Sequence, residues 1–589
     1  MRKAIFTALV SLTAATAGAQ TMYDGLTFSQ NNYYGTARSI GMGNAMTAVG
    51  GDLGSIGINP AGSAVAGYSQ FTITPNLTMS SMNASYSAYH PVGGSDKFIN
   101  GQAKNLTRFS LPNFGTTINW DTGNRSGLTS VTYGIIVNGT NNFTGQMLAG
   151  GQNDKTSYLS AMAVGADEFN SGFLNGYLDA DGNKIDIWDN AYYENDGRNM
   201  PAPWNAIVNA QAGAIANYGS DLDPGYPYRY IAATERYYPV TAQDVKDGYY
   251  TLQDGDHIDA EGYVLDKDGN GIYNVFLGGP LNQAYGRKVT GSKYDVLFNV
   301  GLNFSETFFV GANLGITSLN YSFDEYFKEA AVDPEDFLTE FEKGNTYFSD
   351  YRARYSYTAE GSGIYGKFGF LWRPADGIRV GAAVQTPTFM EINERWRQDA
   401  NVNYTDAQYN GSAQTPEGEY SYMIRSPYRL NAGAAFTFAG MALLSADYEM
   451  ADYSTMKFMS KEGNWDSSFD DVNDEIRDCM GVSHMVRIGA EFKPVPEFAV
   501  RAGYNFTTTP EYTFDNGKKT ELKDRINAFS VGLGYSSNGS FFADLAARLT
   551  MLSDEYISPY ADYLDDVASP MILNKRNIYS ITATFGWRF

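Results

Sequence analysis

The sequence predicts an all-β chain, a transmembrane antiparallel barrel of about fourteen strands, and three observations carry that reading. The last stretch, 574–589, alternates strictly: Tyr579, Ile581, Ala583, Phe585, Trp587 and Phe589 lie on one face, and Ser580, Thr582, Thr584, Gly586 and Arg588 on the other. The same period of two recurs from Tyr68 onward. The joins between these segments are short and long in strict alternation, as turns and loops are on the two sides of a bilayer.

The short joins fall at 121–127, 305–307, 374–377, 439–440, 494–496 and 537–539. The long ones fall near 90–105, 145–291, 323–352, 396–419, 459–480, 508–522 and 555–573. A soluble sandwich has no reason to keep that order. Unpaired backbone cannot face lipid, so the sheet must close on itself.

The register follows from charge. Lys367, Arg379, Arg429, Asp447, Glu449, Arg487, Glu491, Arg501, Asp544 and Arg588 all fall on the non-aromatic face of their segments. A midplane Arg or Lys facing lipid costs roughly 2–4 kcal/mol, so this face turns inward and the lumen is polar. Trp120, Trp372, Tyr428, Tyr448, Tyr504, Tyr535 and Trp587 lie near segment ends, where they suit interfacial girdles.

Composition agrees. Of 589 residues 62 are Gly and 44 Tyr, which favours strands and turns over helices. A net charge of −23 leaves no basic stripe for nucleic acid. One cysteine, Cys479, forms no internal disulfide, and three histidines support neither a Cys/His metal cluster nor a His-based triad. No nucleophile and base stand at a telling spacing, so an enzyme is not expected and no cofactor is implied.

Residues 1–19 read as a secretory signal: Arg2 and Lys3, a short apolar run, then Ala17-Gly18-Ala19. Residues 20–67 form a segment rich in Gly, Ala and Ser, with helical potential around 37–49 and a turn at Asn59-Pro60-Ala61-Gly62. Small residues let backbone approach backbone, which suits a plug inside the barrel of 68–589.

Several pieces resemble a known family. GTARSIGMGNAMTAVGGDLGSIGINPAG (35–62), GKFGFLWRPADGIRVGAAVQTP (366–387), PYRLNAGAAFTF (427–438) and VRIGAEFKPVPEFAVRAGYNF (486–506) are similar to the FadL family of outer-membrane transporters for long-chain fatty acids and other hydrophobic molecules. The resemblance implies a fourteen-stranded barrel in the Gram-negative outer membrane, acting as a monomer, with an N-terminal hatch. Substrate passes from an outer groove to an inner pocket and leaves through a lateral opening made by a kinked early strand. It places Gly41, Gly43, Asn59, Pro60 and Ala61 on the hatch and substrate path. The terminal Phe589 resembles the aromatic read by the barrel-insertion machinery. The implied partners are a fatty-acid-like ligand and outer-membrane lipid. The long acidic loop 145–291 departs from the family, so haemin binding, or a non-transporting partner barrel in secretion or adhesion, remain as alternatives.

Two finer readings stay open. Lys367, Arg429, Asp447, Glu449, Arg487 and Arg501 are lumen candidates: an inward Arg suits a carboxylate head group, and bracing of the wall is the plainer role. Asp266, Asp268 and Asn270 match half a calcium loop, but Leu277 stands where a bidentate acid is needed, and an exposed Asp/Gly turn is the simpler account. A partly helical spacing over 321–341 suggests an amphipathic helix across the barrel mouth.

Overall fold

The computed structural model describes residues 21–91, 97–167, 188, 192–195, 198–201, 203–217, 230–267, 269, 271–341, 344–515, 518–537 and 539–589. The expected signal, 1–19, lies outside them.

Fourteen antiparallel strands form the wall. They are β1 (Gln70–Ser87), β2 (Ile99–Asp121), β3 (Leu128–Asn142 continued by Gly145–Asn153), β4 (Leu281–Phe304), β5 (Phe308–Ala331), β6 (Gly344–Ala375) and β7 (Ile378–Gln385 continued by Phe389–Tyr404). The second half comprises β8 (Gly418–Arg425 continued by Arg429–Phe438), β9 (Ala442–Asp452 continued by Lys457–Met459), β10 (Val482–Val495), β11 (Phe498–Thr508), β12 (Arg525–Ser536), β13 (Phe541–Met551 continued by Glu555–Ile557) and β14 (Met571–Arg588). Each strand pairs with its neighbours in sequence, and β1 pairs with β14 from Gln70↔Arg588 to Ser87↔Met571. The barrel is therefore closed at the β1–β14 seam.

The apolar face points outward. Ile118, Phe298, Ile316, Phe368, Leu444, Ile488, Val531 and Ile581 are exposed, and Trp120, Trp372, Tyr448, Tyr535 and Trp587 are exposed near strand ends. The inner face buries Lys367, Arg429, Asp447, Glu449, Arg487 and Arg501.

The strands outrun the membrane. A crossing takes about 9–11 residues, whereas β4 and β5 have 24 each and β6 has 32. Several outer joins are thus shorter than the sequence suggests, and much of 323–352 is wall. The helix expected over 321–341 does not form. β5 continues to Ala331, followed by a single turn at Pro334–Asp336 and a short strand at Leu338–Phe341. Ladder pairs on both flanks satisfy this backbone, and burial there has period two, with Tyr321, Glu325, Phe327 and Glu329 inward.

Above the lumen the insertion between β3 and β4 contributes α-helices at Tyr158–Ala166 and Trp204–Gln211. They pack on Tyr86, Tyr285, Phe327, Tyr351, Tyr560 and Ile572 of the rim. Glu329 of β5 fixes the first helix by accepting hydrogen bonds from Tyr158 N (2.7 Å), Ser157 Oγ (2.9 Å), Leu159 N (3.3 Å) and Gln283 Nε2 (2.7 Å). An anion at a helix start also meets the positive end of the helix dipole.

Burial prevails over these donors and pushes the Glu329 carboxyl up to about 7. The docked state then holds a proton that a released carboxyl, near 4.5, gives up, so docking weakens as pH rises from about 4.5 through about 7. Proteolysis within the insertion, normalised to a denatured substrate, is expected to be faster at pH 8 than at pH 5. In Glu329→Gln that difference should vanish.

Candidate functional site: the lumen and a split in the wall

Residues 21–67 lie against the inner wall. Helices at Met22–Ser29, Ala37–Gly41 and Leu53–Ile56 and a 3-10 turn at Pro60–Val65 start from side-chain caps on Thr21, Thr36, Asp52 and Asn59. Such short helices are held by tertiary contact, not by propensity.

The wall meets this segment with glycine. A Cβ on Gly381 would lie 2.5 Å from Thr47 O, and one on Gly43 would lie 2.8 Å from Tyr504 N; Gly43 also needs its φ of +63°. Gly41 and Gly532 approach in the same way, and Gly489 and Gly503 back onto Met42 and Gly43. These wall glycines were hard to recognise in advance, because a glycine at a strand position also marks bulges and bends.

Inward charges hold the segment's carbonyls and side chains. Lys367 Nζ donates to Gly57 O (2.8 Å), Arg429 Nη2 to Ser29 O (2.7 Å), Arg379 Nη1 to Val49 O (2.7 Å) and Lys293 Nζ to Phe28 O (2.9 Å). Asp447 Oδ2 accepts from Thr47 N at 2.7 Å. Asn59, the predicted turn residue, donates to Thr47 O (2.7 Å) and Phe370 O (3.0 Å), and its neighbours Pro60 and Ala61 are buried against β4 and β5.

The lumen candidates form two clusters. In the first, Glu449 accepts from Arg429 and Arg487 (3.1 Å each) and from Tyr33 Oη (3.2 Å), and Arg487 also donates to Asn431 (2.8 Å). In the second, Arg38 of the N-terminal segment grips both oxygens of Glu491 (3.0 and 3.1 Å), and Arg501 bridges Glu491 (2.6 Å) to Asp544 (2.5 Å). Strand register creates these pairs: Asp447 lies opposite Arg487, and Glu491 opposite Arg501. Arg429, Arg487 and Arg501 are thus engaged with protein groups, which is the bracing arrangement. Arg38 and Tyr33 were not singled out from the sequence, where no strand period marks their side.

The wall itself is split at one place. β2 and β3 pair from Asp121↔Ser130 up to Asn113↔Asn138 and no further. Above that point β2 stays with β1, while β3 stays with β4 up to Leu281↔Asn153. Pro112, at the fork, has no N–H to continue the ladder. Opposite it, Thr140 bulges from the pairing with β4, and a Cβ on Gly139 would lie 3.2 Å from Pro112 Cβ. The upper half of β3 turns inward across β1, so that a Cβ on Gly151 would lie 2.6 Å from the Tyr86 ring. β2 is left with Phe109 and Leu111 exposed in the apolar belt.

Other groups take over the broken ladder. Asn32 N donates to Thr140 O (2.7 Å) and Tyr34 N to Gly139 O (2.8 Å), so the N-terminal segment replaces β2 as partner. Arg108 Nη1 reaches from β2 across the split to Gly291 O of β4 (3.0 Å). Arg576 Nη2 donates to Thr144 O at 2.7 Å.

Cavities between segment and wall are small. One beside Phe28, Lys293 and Arg429 holds about 10 Å³, and one beside Asn31, Tyr453 and Met485 about 30 Å³. A larger polar cavity of about 340 Å³ opens at the short-turn end, lined by Arg38, Asp52, Glu491, Lys493, Arg501 and Arg588.

Of the half calcium loop, Asp268 and Asn270 lie outside the described residues; Asp266 is described and half-buried. His257 is exposed, and His484 faces outward with Nδ1 2.6 Å from Tyr448 Oη, so neither histidine overlooks a slot for haem. Phe589 is exposed, and its backbone pairs with Ser69.

These features define the class: a closed fourteen-stranded antiparallel barrel, in which no helix among the described residues is long and apolar enough to cross a membrane. Neither family models nor curated proteins give a match. Among solved structures, a FadL homologue of Pseudomonas aeruginosa is similar over 94% of this chain and 99% of its own, at 12% identity and a TM-score of 0.44. The toluene transporter TodX of P. putida is similar over 94% and 98%, at 12% identity and a TM-score of 0.41. The toluene transporter TbuX of Ralstonia pickettii covers 94% and 98%, at 13% identity and 0.41.

Bracing makes a measurable demand. Removing one partner of a buried charge pair costs about 3–5 kcal/mol. Arg487→Met is expected to lower the temperature at which the folded, fast-migrating band is lost in gel electrophoresis, whereas exposed Arg477→Met should leave it unchanged.

Proposed function

We propose that the protein passively conducts hydrophobic small molecules, of the size of monoaromatics to fatty acids, through the outer membrane, and that the N-terminal segment is its hatch. The split between β2 and β3 carries this reading. It offers a side door inside the apolar belt, where a hydrophobic ligand leaves the lumen without crossing the polar short-turn end. Transfer of apolar surface from water into a greasy path, roughly 25 cal/mol per Å², supplies the drive. The similar structures include a FadL homologue and toluene transporters. Barrel insertion led by Phe589 belongs to the same reading.

The hatch in this reading is a removable seal. Its glycine contacts and carbonyl-to-cation bonds are individually weak and run along its whole length, so ligand entry can shift part of it. Gly139→Trp would place an indole in the split. Uptake of labelled toluene or oleate by cells is expected to fall roughly tenfold, with heat-modifiable migration retained. Unchanged uptake with a folded barrel removes the side-door reading. Gly43→Val loosens the seal instead, and ion conductance in planar bilayers should rise above that of the native protein.

One observation favours a second reading, a non-transporting partner barrel. Two of the cavities beside the hatch, of about 10 and 30 Å³, are too small for a ligand, the larger one of about 340 Å³ is polar, and the folded insertion packs on the rim. Native protein that takes up neither toluene nor oleate would support it.

A further inference from the structure

Twenty acidic and seven basic residues lie between 154 and 280, so much of the chain's −23 falls within the insertion's sequence. The outer wall of β4 to β7 is different. Lys288, Lys328, Arg352, Arg354, Arg395 and Arg397 are all exposed there, on the same outward rows as the belt residues Ile316, Ile364 and Phe389. Register brings Lys328 opposite Arg352, whereas Lys288 lies opposite Asp324, Arg354 opposite Asp399, Arg397 opposite Ser356 and Arg395 opposite Thr358.

The acids within this block are Asp324 and Asp399. Asp324 pairs with Arg354 at 2.8 Å, and Glu419 of β8 lies 3.7 Å from Arg395. Arg397 donates to Gln414, and Lys328 lies over the Tyr326 ring at 5.5 Å. Lys288 and Arg352 have no ion-pair partner among the described residues. Glu360 and Asp350 mark the lower and upper edges of the block. Lys328 and Arg352 are like charges directly opposed on adjacent strands, which destabilises a sheet, so this exposed cationic face on an acidic protein suits an anionic occupant.

Height tells which one. Arg395 lies level with Thr358, six residues above Ile364, and Arg352 lies twelve above it. At about 3.3 Å per residue and a tilt of about 40°, the cluster stands about 15 to 30 Å above the hydrocarbon edge. That is beyond the lipid phosphates and within the sugar layer of the outer leaflet. We propose that the exposed face of β4–β7 binds the phosphorylated and carboxylated core sugars of lipopolysaccharide. Arginine forks suit both anions, and the belt beneath seats the acyl chains of the same molecule. This inference rests on the outer-membrane location and not on the transport reading.

The test uses the full-length protein in detergent, with purified lipopolysaccharide carrying its core, and lipid A alone, as probes in native mass spectrometry. Binding of the core-bearing form is expected to be roughly tenfold weaker in the variant Lys328→Glu, Arg352→Glu, Arg354→Glu, Arg397→Glu, and weaker at high salt for the native protein. Lipid A alone should bind both proteins alike. Charge reversal of Lys518, Lys519 and Lys523, exposed in the join between β11 and β12, serves as the control and should leave binding unchanged. Equal binding of core-bearing lipopolysaccharide to native and variant protein, with heat-modifiable migration intact in both, overturns the proposal. Equal loss on reversing the control lysines overturns it as well, since general charge would then suffice.

Discussion

No backbone group may face hydrocarbon unpaired, and the rest of this structure depends on that constraint. It forces β1 onto β14 and closes the wall at that seam. It also gives the split between β2 and β3 its meaning. A ladder that stops inside the belt leaves donors and acceptors at several kcal/mol each unless something replaces the lost strand. Here Asn32 and Tyr34 of the N-terminal segment, with Arg108 and Arg576, do so. The opening and the segment inside are therefore one arrangement: without the segment, the carbonyls of Gly139 and Thr140 lose the donors Tyr34 N and Asn32 N.

The same logic explains why the lumen is charged yet filled. A buried Arg such as Arg487 is costly to desolvate and is tolerable only when its neighbours accept hydrogen bonds. Glu449 and Asn431 do this across strands, while Lys367, Arg429 and Arg379 spend donors on carbonyls of the N-terminal segment. The segment is thus a source of acceptors for the wall as well as an obstruction. Glycine on the wall permits the close approach these bonds need.

Much of the wall was legible from the residues. Alternation located the strands, and inward placement of Arg487 and Arg501 fixed which face met lipid, because a two-residue period admits only two choices. What escaped was whatever departs from that period. The stretch 321–341 carries aromatics at helical spacing, but two neighbouring strands supply its hydrogen bonds, and pairing outweighs local spacing. The fork at Pro112 and Gly139 was hidden for a related reason: Pro and Gly within a strand signal an irregularity without saying which neighbour is lost. Arg38 and Tyr33 lie on a segment with no period at all, and only their partners Glu491 and Glu449 reveal a role.

Charge placement ties the two halves of the molecule together. Inside, every cation of the two lumen clusters is matched to a carboxylate or carbonyl, so the lumen offers little attraction to a free ion. Outside, the insertion is acidic and the wall of β4–β7 is basic. A Debye length of about 8 Å at physiological salt keeps those two regions electrostatically separate over most of their extent. On the reading proposed above, the upper wall of β4–β7 attracts anions while the insertion carries net negative charge. If the barrel conducts hydrophobic molecules as proposed, that division leaves the apolar belt and its split as the favourable route.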